Sequence, residues 1–224
     1  VPTALFSAHT RYKVFTMEDT TDMLGGYLDA WQQEGVELDG VYSGFLGSPD
    51  QVAIIQRLYR EYPKSLRFVD PVMGDAGEMY ATYTAQLCEA MGALVDGADL
   101  LMPNEQVRQI IGNLFDMGAK NVVLKGIDHN DGRIRNFVAN AKEGVDRMTE
   151  CVHEKLPYMC HGTGDAFASA MIGGVMAGLD LAAAARLAGE FVHNAMVQTK
   201  FQPGYQDRGV SFELSLGDLT SLVD

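Results

Sequence analysis

His161-Gly162-Thr163-Gly164-Asp165-Ala166-Phe167 is the most informative stretch of the sequence, and it lies between a predicted strand and an Ala-rich predicted helix. Its two glycines let the backbone approach a ligand closely, and the first N–H groups of a helix have no helix carbonyl to bond, so they point toward an anion. Asp165 falls on that first turn, where a carboxylate can accept the proton of a substrate hydroxyl. The stretch predicts phosphoryl transfer. A simple helix entry with an acidic first turn explains it equally well when it is taken alone.

An acidic loop, Asp70-Pro71-Val72-Met73-Gly74-Asp75, follows an earlier predicted strand. Ligands of open α/β sheets bind at the carboxyl ends of strands, so this loop is a second candidate site. Its two carboxylates, on a chain that glycine allows to bend, suit a hard cation that takes oxygen ligands. An Asx-Pro turn without any ligand is the alternative.

Two further strand ends carry candidate phosphate ligands. Met102-Pro103-Asn104-Glu105 places an amide and a carboxylate directly after a strand, although Asn after Pro is more commonly a helix cap. Lys125 directly follows the apolar run 122–124, and its ammonium could pair with a phosphate as a point charge. A solvated lysine at the end of a strand is the alternative.

Short apolar runs alternate with longer segments of helical period along the chain, and this alternation is typical of an α/β fold with a mostly parallel sheet covered by helices. Strands are predicted at 5–7, 41–43, 66–69, 100–102 and 121–125, and helices at 20–35, from Ser48, and at 82–95, 106–117, 166–178 and 181–200. Segment 133–156 alternates apolar and polar residues, which predicts an antiparallel edge hairpin. No linker-like shift in composition occurs, so residues 1–224 are predicted to form one domain.

Composition excludes several classes of protein. The chain has 224 residues, 47% of them hydrophobic, which is enough for a sizeable core and excludes a disordered tail. Its formal charge of −13 disfavours binding to nucleic acid or to an anionic membrane surface, and its apolar runs are too short to cross a membrane. Its three cysteines form no Cys-x-x-Cys pair, which favours a reducing cytoplasm.

The order of the motifs, acidic loop, Pro-Asn loop and Gly-Thr-Gly-Asp helix start, resembles the ribokinase-like superfamily and, within it, the vitamin B6 (pyridoxal) kinases. Segments 1–10, 43–49 and 70–75 with Met79-Tyr80 are also similar to that branch. The resemblance implies a three-layer α/β/α sandwich with a mostly parallel central sheet and an antiparallel edge hairpin. It also implies ATP-dependent phosphorylation of the 5′-hydroxymethyl group of pyridoxal, pyridoxine or pyridoxamine.

Carried over residue by residue, the resemblance assigns roles to the candidate positions. Asp165 would be the catalytic base, and Gly162, Thr163 and Gly164 the anion hole for the γ-phosphoryl group. ATP would contact Asp70, Asn104, Lys125, Tyr80, Leu156 and Tyr158, and Mg²⁺ bound with ATP would lie near Asp70 and Asp75. The substrate would contact Ser7, Thr10 and Cys160, whose thiol could add to an aldehyde or could be buried and inert. A monovalent cation, K⁺ or Na⁺, is a further expected ion.

The sequence also departs from the B6 kinases. Their usual first strand is not present, and Val107 stands where the pattern Asn-x-x-Glu requires glutamate. We expect an N-terminal strand and a segment after about residue 105 to be missing from this chain. A hydroxymethylpyrimidine (phosphate) kinase and a non-catalytic vitamer- or nucleotide-binding relative are the alternative functions. A homodimer is expected from the resemblance and from the Ala- and Met-rich helices.

Overall fold

The computed structural model describes residues 1–8, 12–71, 74–75, 78–79, 84–102, 107–205 and 208–220, without the side chains of residues 74, 75, 78, 79, 107 and 109. The chain contains two compact units. The first comprises Val1–Leu101 with Leu114–Lys120, and the second comprises Met102–Asn113 with Asn121–Asp224. In the described ranges, no helix has both the length and the hydropathy that crossing a bilayer requires.

The first unit is built on a parallel sheet with helices between its strands. Its elements are β1 (Ala4–Phe6), β2 (Met17–Asp19), α1 (Thr21–Gln33), β3 (Gly40–Ser43), α2 (Pro49–Glu61), β4 (Leu66–Val69), β5 (Gly74–Asp75), β6 (Glu78–Met79), α3 (Ala85–Val95) and β7 (Leu100–Leu101). Strands β3, β4 and β7 pair in parallel, with β4 in the middle. These pairings confirm the strands that were predicted at 41–43, 66–69 and 100–102.

Strands β4 and β7 carry the most deeply buried apolar residues of the parallel sheet. Phe68, Val69, Leu100 and Leu101 are almost wholly buried, as continuous apolar runs in parallel sheets usually are. The chain then turns at Ser48, whose hydroxyl accepts a hydrogen bond from the backbone N–H of the third residue of α2. A serine cap followed by Pro is a strong helix start, and the predicted helix begins there.

The predicted strand at 5–7 is β1, but it is not part of the parallel sheet. It pairs in antiparallel fashion with β2, and the two strands form a separate sheet with Ala4 opposite Asp19 and Phe6 opposite Met17. The sequence did not predict β2, because Met17, Glu18 and Asp19 are all exposed and carry no apolar alternation. The predicted loop at 73–79 contains the short antiparallel pair β5 and β6.

The second unit combines antiparallel strands with two long helices. Its elements are β8 (Asn121–Asp128), β9 (Arg133–Asn140), β10 (Thr149–Glu154), α5 (Thr163–Met176), α6 (Leu181–Thr199) and α7 (Leu216–Thr220). Helix α4 (Val107–Asp116) crosses the boundary between the units. The predicted edge hairpin is confirmed as β9 and β10, and β8 also pairs with β9 in antiparallel fashion.

Helices α5 and α6 pack closely through small residues, as their composition predicted. A Cβ placed on Gly174 of α5 would lie 3.2 Å from the Cβ of Ala184 on α6. Ala168, Ala184 and Ala188 have no exposed surface. Because small side chains let the two backbones approach, α6 holds α5 in place and so fixes the position of the first turn of α5.

Candidate active site

The first turn of α5 is organised differently from the starts of α2, α3 and α6. Gly162 precedes the helix with φ 79° and ψ 3°, a left-handed conformation that glycine adopts without strain. The first helical hydrogen bond runs from the Ala166 N–H to the Gly162 carbonyl, 3.0 Å away. Among the described residues no side chain caps this helix, so the N–H groups of Thr163, Gly164 and Asp165 are directed at the space before it.

The absence of a side-chain cap on α5 in the described structure contrasts with the capped starts of three other helices. Side-chain caps accept hydrogen bonds from first-turn N–H groups in α2, α3 and α6; these caps are Ser48, Thr84 and Asp180. Helix α5 has no such cap within the described ranges, and a helix N-terminus of this kind favours an anion because it carries about half a positive charge.

The segment at Gly209 and Val210 fixes the loop that leads into α5. The Val210 N–H donates to the His161 carbonyl at 2.8 Å, and a Cβ on Gly209 would lie 3.2 Å from that carbonyl oxygen. A Cβ on Gly162 would lie 3.8 Å from a methyl group of Val210. The contacts with Gly209 and Val210 therefore anchor the loop that leads into α5.

A β-bulge in β8 turns Lys125 toward α5. Lys125 and Gly126 together lie opposite Asn136 of β9, because the register shifts between Leu124 and Ile127. Gly126 has φ 74°, and its N–H donates to the Asn136 Oδ1 at 3.0 Å. Bulges of this kind bend a strand and redirect one side chain, and here that side chain is Lys125.

The Lys125 ammonium lies beside the first turn of α5. Its Nζ donates to the Gly164 carbonyl at 3.5 Å, and the residue is only 7% exposed. Lys125 is therefore not a solvated lysine at the end of a strand. A buried ammonium is costly unless anions or oxygen atoms surround it. Together with the positive end of the helix, it gives this spot a local charge that suits phosphate even though the whole chain is acidic.

At this helix start Asp165 is exposed, whereas Cys160 is buried. Asp165 is the third residue of α5 and is exposed, so its carboxylate is accessible to a substrate. Cys160 packs in an apolar cluster with Ala195 and Val210, and burial raises the pKa of its thiol. The thiol is thus kept protonated, which lowers its reactivity.

An aromatic group follows β10. The Tyr158 hydroxyl donates to the Met196 carbonyl at 3.0 Å, and its ring meets Tyr205 edge-on at 5.7 Å. The Lys200 Nζ lies 5.9 Å above the Tyr158 ring, and burial raises the pKa of that phenol. Leu156 precedes this group and is half-buried. Flat faces beside a cation suit an aromatic ligand.

Two predicted site residues belong to the first unit. Asp70 is 3% exposed, its carboxylate accepts a hydrogen bond from the Tyr42 hydroxyl at 3.4 Å, and its N–H bonds the Ser43 carbonyl. Ser7 is exposed, and its Oγ accepts the Thr16 N–H at 2.8 Å, a hydrogen bond that joins the residue after β1 to the residue before β2. The Ser7 O–H proton remains available to a ligand.

The remaining predicted positions lie outside the described residues. These are Thr10, Tyr80 and Asn104, together with the side chain of Asp75. The structure therefore brings together Lys125 with Gly162, Thr163, Gly164 and Asp165, and it places Tyr158 and Cys160 within the same unit. The roles predicted for all of these residues stay predictions.

Sequence reasoning missed Asn136, Tyr205 and Lys200. Asn136 had a usable signal, because a glycine inside a strand pattern indicates a bulge, and a bulge needs a partner for its extra N–H. Tyr205 and Lys200 had no signal, because they reach Tyr158 only through the packing of the region that follows α6.

Comparisons with known proteins identify the family and the fold of the chain. The phosphomethylpyrimidine kinase family model matches residues 3–211. The C18.10 protein of Schizosaccharomyces pombe is 23% identical over 197 residues, which cover 77% of this chain, and the chain spans 57% of the length of that relative. Pyridoxal kinase PdxY of Pseudomonas syringae pv. syringae is 25% identical over 237 residues, covering 91% of this chain and 79% of that protein.

A solved structure establishes the fold. A Bacteroides thetaiotaomicron protein crystallised with pyridoxal matches with a TM-score of 0.89 and 27% identity, covering 98% of this chain and 84% of that chain. This likeness confirms the predicted ribokinase-like α/β fold.

Proposed function

The chain belongs to the phosphomethylpyrimidine kinase family, and on this premise we propose that it transfers the γ-phosphoryl group of ATP to the 5′-hydroxymethyl group of a B6 vitamer, namely pyridoxal, pyridoxine or pyridoxamine. The observation that carries the proposal is the uncapped start of α5 with the buried Lys125 ammonium beside it. The Pseudomonas relative that is named a pyridoxal kinase and the Bacteroides relative that was crystallised with pyridoxal support the choice of acceptor.

The first turn of α5 binds the transferring phosphoryl group in this mechanism. The N–H groups of Thr163, Gly164 and Asp165 donate to its oxygens, and Lys125 balances the charge that develops on them. Fixed donors that point at developing charge require no reorganisation during the reaction, and this is usually the largest contribution to such catalysis. Gly162 supplies the left-handed turn that exposes these donors.

Asp165 accepts the proton of the 5′-hydroxyl group as the acceptor oxygen attacks phosphorus. The residue is exposed and lies in the first turn of the helix, next to the donors that hold the phosphoryl group. The bond from the 5′-oxygen to phosphorus forms while the bond from phosphorus to the β,γ-bridging oxygen of ATP breaks, and ADP leaves with that oxygen. A positioned general base contributes about 10²–10⁴-fold to such a reaction.

Asp70 is the described residue that fits a magnesium ion delivered with ATP. The described residues contain no group of three or more His, Cys, Asp or Glu side chains arranged to hold a metal. Mg²⁺ in kinases keeps waters and phosphate oxygens as most of its ligands and needs only one or two carboxylates. Asp70 would supply one of these carboxylates and Asp75 the second. The ion neutralises charge on the phosphates when it is bound.

The aromatic group around Tyr158 would bind the adenine ring, with Leu156 beside it. Lys200 and Tyr205 hold the Tyr158 ring in place. On the acceptor side, Ser7 and Thr10 would contact the pyridine ring and its substituents, and Cys160 would lie behind the helix start. Tyr80 and Asn104 would complete the phosphate contacts.

The proposal also includes a homodimer, a cytoplasmic location and a bound monovalent cation. Exposed apolar side chains on and beside the β1–β2 sheet, including Leu5 and Val14, suit a homodimer contact. The sparse cysteines suit the cytoplasm. K⁺ or Na⁺ would be an additional ion bound with the nucleotide. Light scattering of the purified chain tests the dimer, and activity in sodium, potassium and tetramethylammonium salts tests the ion.

A hydroxymethylpyrimidine kinase is the second candidate, because the family that matches the chain is described by that chemistry. The two functions differ in the acceptor alone. Incubating the chain with Mg-ATP and each alcohol in turn, and following ADP release, separates them. We expect turnover with at least one B6 vitamer. Turnover with the pyrimidine alcohol only would establish the second candidate, and binding without turnover of any alcohol would favour a non-catalytic relative.

A further inference from the structure

Gln51 is a fully buried amide at the centre of a polar network in the first unit. It is the third residue of α2 and has no exposed surface. Its Oε1 accepts the Gly47 N–H at 2.8 Å. Its Nε2 lies 2.8 Å from the Thr3 carbonyl, 3.0 Å from the Thr21 Oγ1 and 3.3 Å from the Asp19 Oδ1. One side chain thus connects the segment before β1, the end of β2, the start of α1 and the loop after β3.

An amide is the side chain that this position requires, because it must accept at one atom and donate at another. The neighbouring carboxylate is Asp19, whose pKa is held below its usual range by hydrogen bonds from Thr21. Asp19 can therefore only accept. A glutamate at position 51 would bring a second carboxylate to it, and an apolar residue would remove the partner of the Gly47 N–H and leave the Thr3 carbonyl with the Thr20 N–H at 3.4 Å. Either change is costly in a buried site.

Polar contacts supplement the aromatic contact of Phe6 with Phe45, 5.9 Å between ring centroids, in holding the β1–β2 sheet. A two-stranded sheet is marginally stable by itself, and Leu5 and Val14 are exposed. The Thr3 hydroxyl donates to the Phe45 carbonyl at 2.8 Å, and the Thr20 hydroxyl donates to the Pro2 carbonyl at 2.6 Å. These bonds are made just before β1 and just after β2, and Gln51 connects the same two places.

We propose that Gln51 is a positioning residue for the acceptor: it holds the β1–β2 sheet on the first turn of α2 and so sets the affinity for the vitamer through Ser7. The inference rests on the proposed function, in which Ser7 contacts the vitamer. Ser7 follows β1 directly, and its N–H and Oγ bond Thr16, which precedes β2. A shift of the strand ends at Thr3 and Asp19 therefore moves Ser7.

The experiment compares Gln51→Leu and Gln51→Glu with the unsubstituted chain. We expect both variants to raise KM for the vitamer by about tenfold or more, and to change KM for ATP by less than about twofold. Ser65→Ala is the matched control, because Ser65 is 5% exposed in the same unit and its Oγ donates to the Leu38 carbonyl at 2.5 Å. It should lower the thermal midpoint and leave both KM values unchanged.

Acidification gives a readout that general destabilisation would not produce. When the carboxyl group of Gln51→Glu is protonated, it can again donate a hydrogen bond to Asp19. The KM of Gln51→Glu for the vitamer, divided by the KM of the unsubstituted chain at the same pH, should therefore fall between pH 7 and pH 5. Gln51→Leu has no proton to gain and should show no such recovery. Asp19 is the titratable side chain that contacts this amide in the described structure.

Amide hydrogen exchange separates this inference from the proposed function. The Thr16 N–H, which bonds Ser7, should exchange faster in both Gln51 variants than in the Ser65→Ala control. An unchanged KM for the vitamer in an active enzyme, or unchanged exchange at Thr16, would overturn the role of Gln51. Lack of turnover with every vitamer in the unsubstituted chain would overturn the proposed function instead, while faster exchange in the variants would still support the hold of Gln51 on the sheet.

Discussion

Replacing Lys125 with methionine tests whether the buried ammonium serves the phosphates. Methionine keeps the length and volume of the side chain and removes its charge. Two unit charges about 4 Å apart attract by about 4 kcal/mol at an effective dielectric constant of about 20, and by about 1 kcal/mol in bulk water. Lys125 is 7% exposed, so the upper part of this range applies.

Desolvation of the ammonium offsets part of that attraction. Hydrogen bonds to charged groups contribute about 1.5–3 kcal/mol net, and about 1.4 kcal/mol corresponds to a factor of ten. We therefore expect Lys125→Met to lower kcat/KM for ATP by about 10- to 150-fold. A coupled assay of ADP release at saturating vitamer measures this value.

Thermal unfolding distinguishes a role in binding from a role in folding. Removing a buried charge whose partners remain can lower stability, so the midpoint without nucleotide measures any role of Lys125 in folding separately from its role in binding. The stabilisation added by Mg-ATP should shrink, because it depends on affinity. Lys120→Met is the control, since Lys120 is 61% exposed and pairs with Asp99. A kcat/KM for Lys125→Met within about threefold of the control would refute the reasoning.

Three further predictions concern the helix start and the edge strand. Asp165→Asn should lower kcat by about 10²–10⁴-fold while Mg-ATP still binds, as titration calorimetry would report; near-normal turnover would remove Asp165 as the base. Gly162→Ala should destabilise the fold by about 1–2 kcal/mol in urea unfolding, because φ is 79° there, whereas Gly217→Ala, in α7 with open space around it, should not. His153 should make stability pH-dependent. Burial lowers its pKa from 6.5, with His193 adding to the decrease and Glu190 opposing it. The unfolded chain therefore binds a proton first, and the thermal midpoint should fall as the pH drops below about 6.5. His153→Gln should flatten that dependence, and an equal slope in the two proteins would count against the assignment.

The sequence predicted the parallel core of the first unit well because its signals are local. Leu66–Val69 is apolar except at Arg67 and ends at Asp70-Pro71, and Ser48-Pro49 is a cap followed by a helix-starting proline. Such elements follow from apolar period and cap chemistry. The exposed strand β2 could not be found in this way, because pairing with β1 rather than burial makes it a strand.

The candidate site was predictable in its residue types and not in its geometry. Two glycines before Asp165 indicate an uncapped helix start, and the structure has that start at Gly162. The direction of Lys125 could not be read from the sequence, because it depends on Asn136 in another strand. Gln51 carried no sequence signal, since its partners are brought together only by the tertiary fold.

The bulge at Lys125 and Gly126 makes the site sensitive to the length of a strand as well as to the identity of its residues. A bulge places two residues of one strand opposite a single residue of its partner and bends the strand at that point. Deleting Gly126 would give β8 and β9 equal numbers of residues between their flanking pairs and place Lys125 directly opposite Asn136. The deletion would make the pairing regular and remove the bend that directs Lys125 toward the first turn of α5. In this chain, an irregularity in the pairing of β8 with β9 thus determines where a charged side chain points.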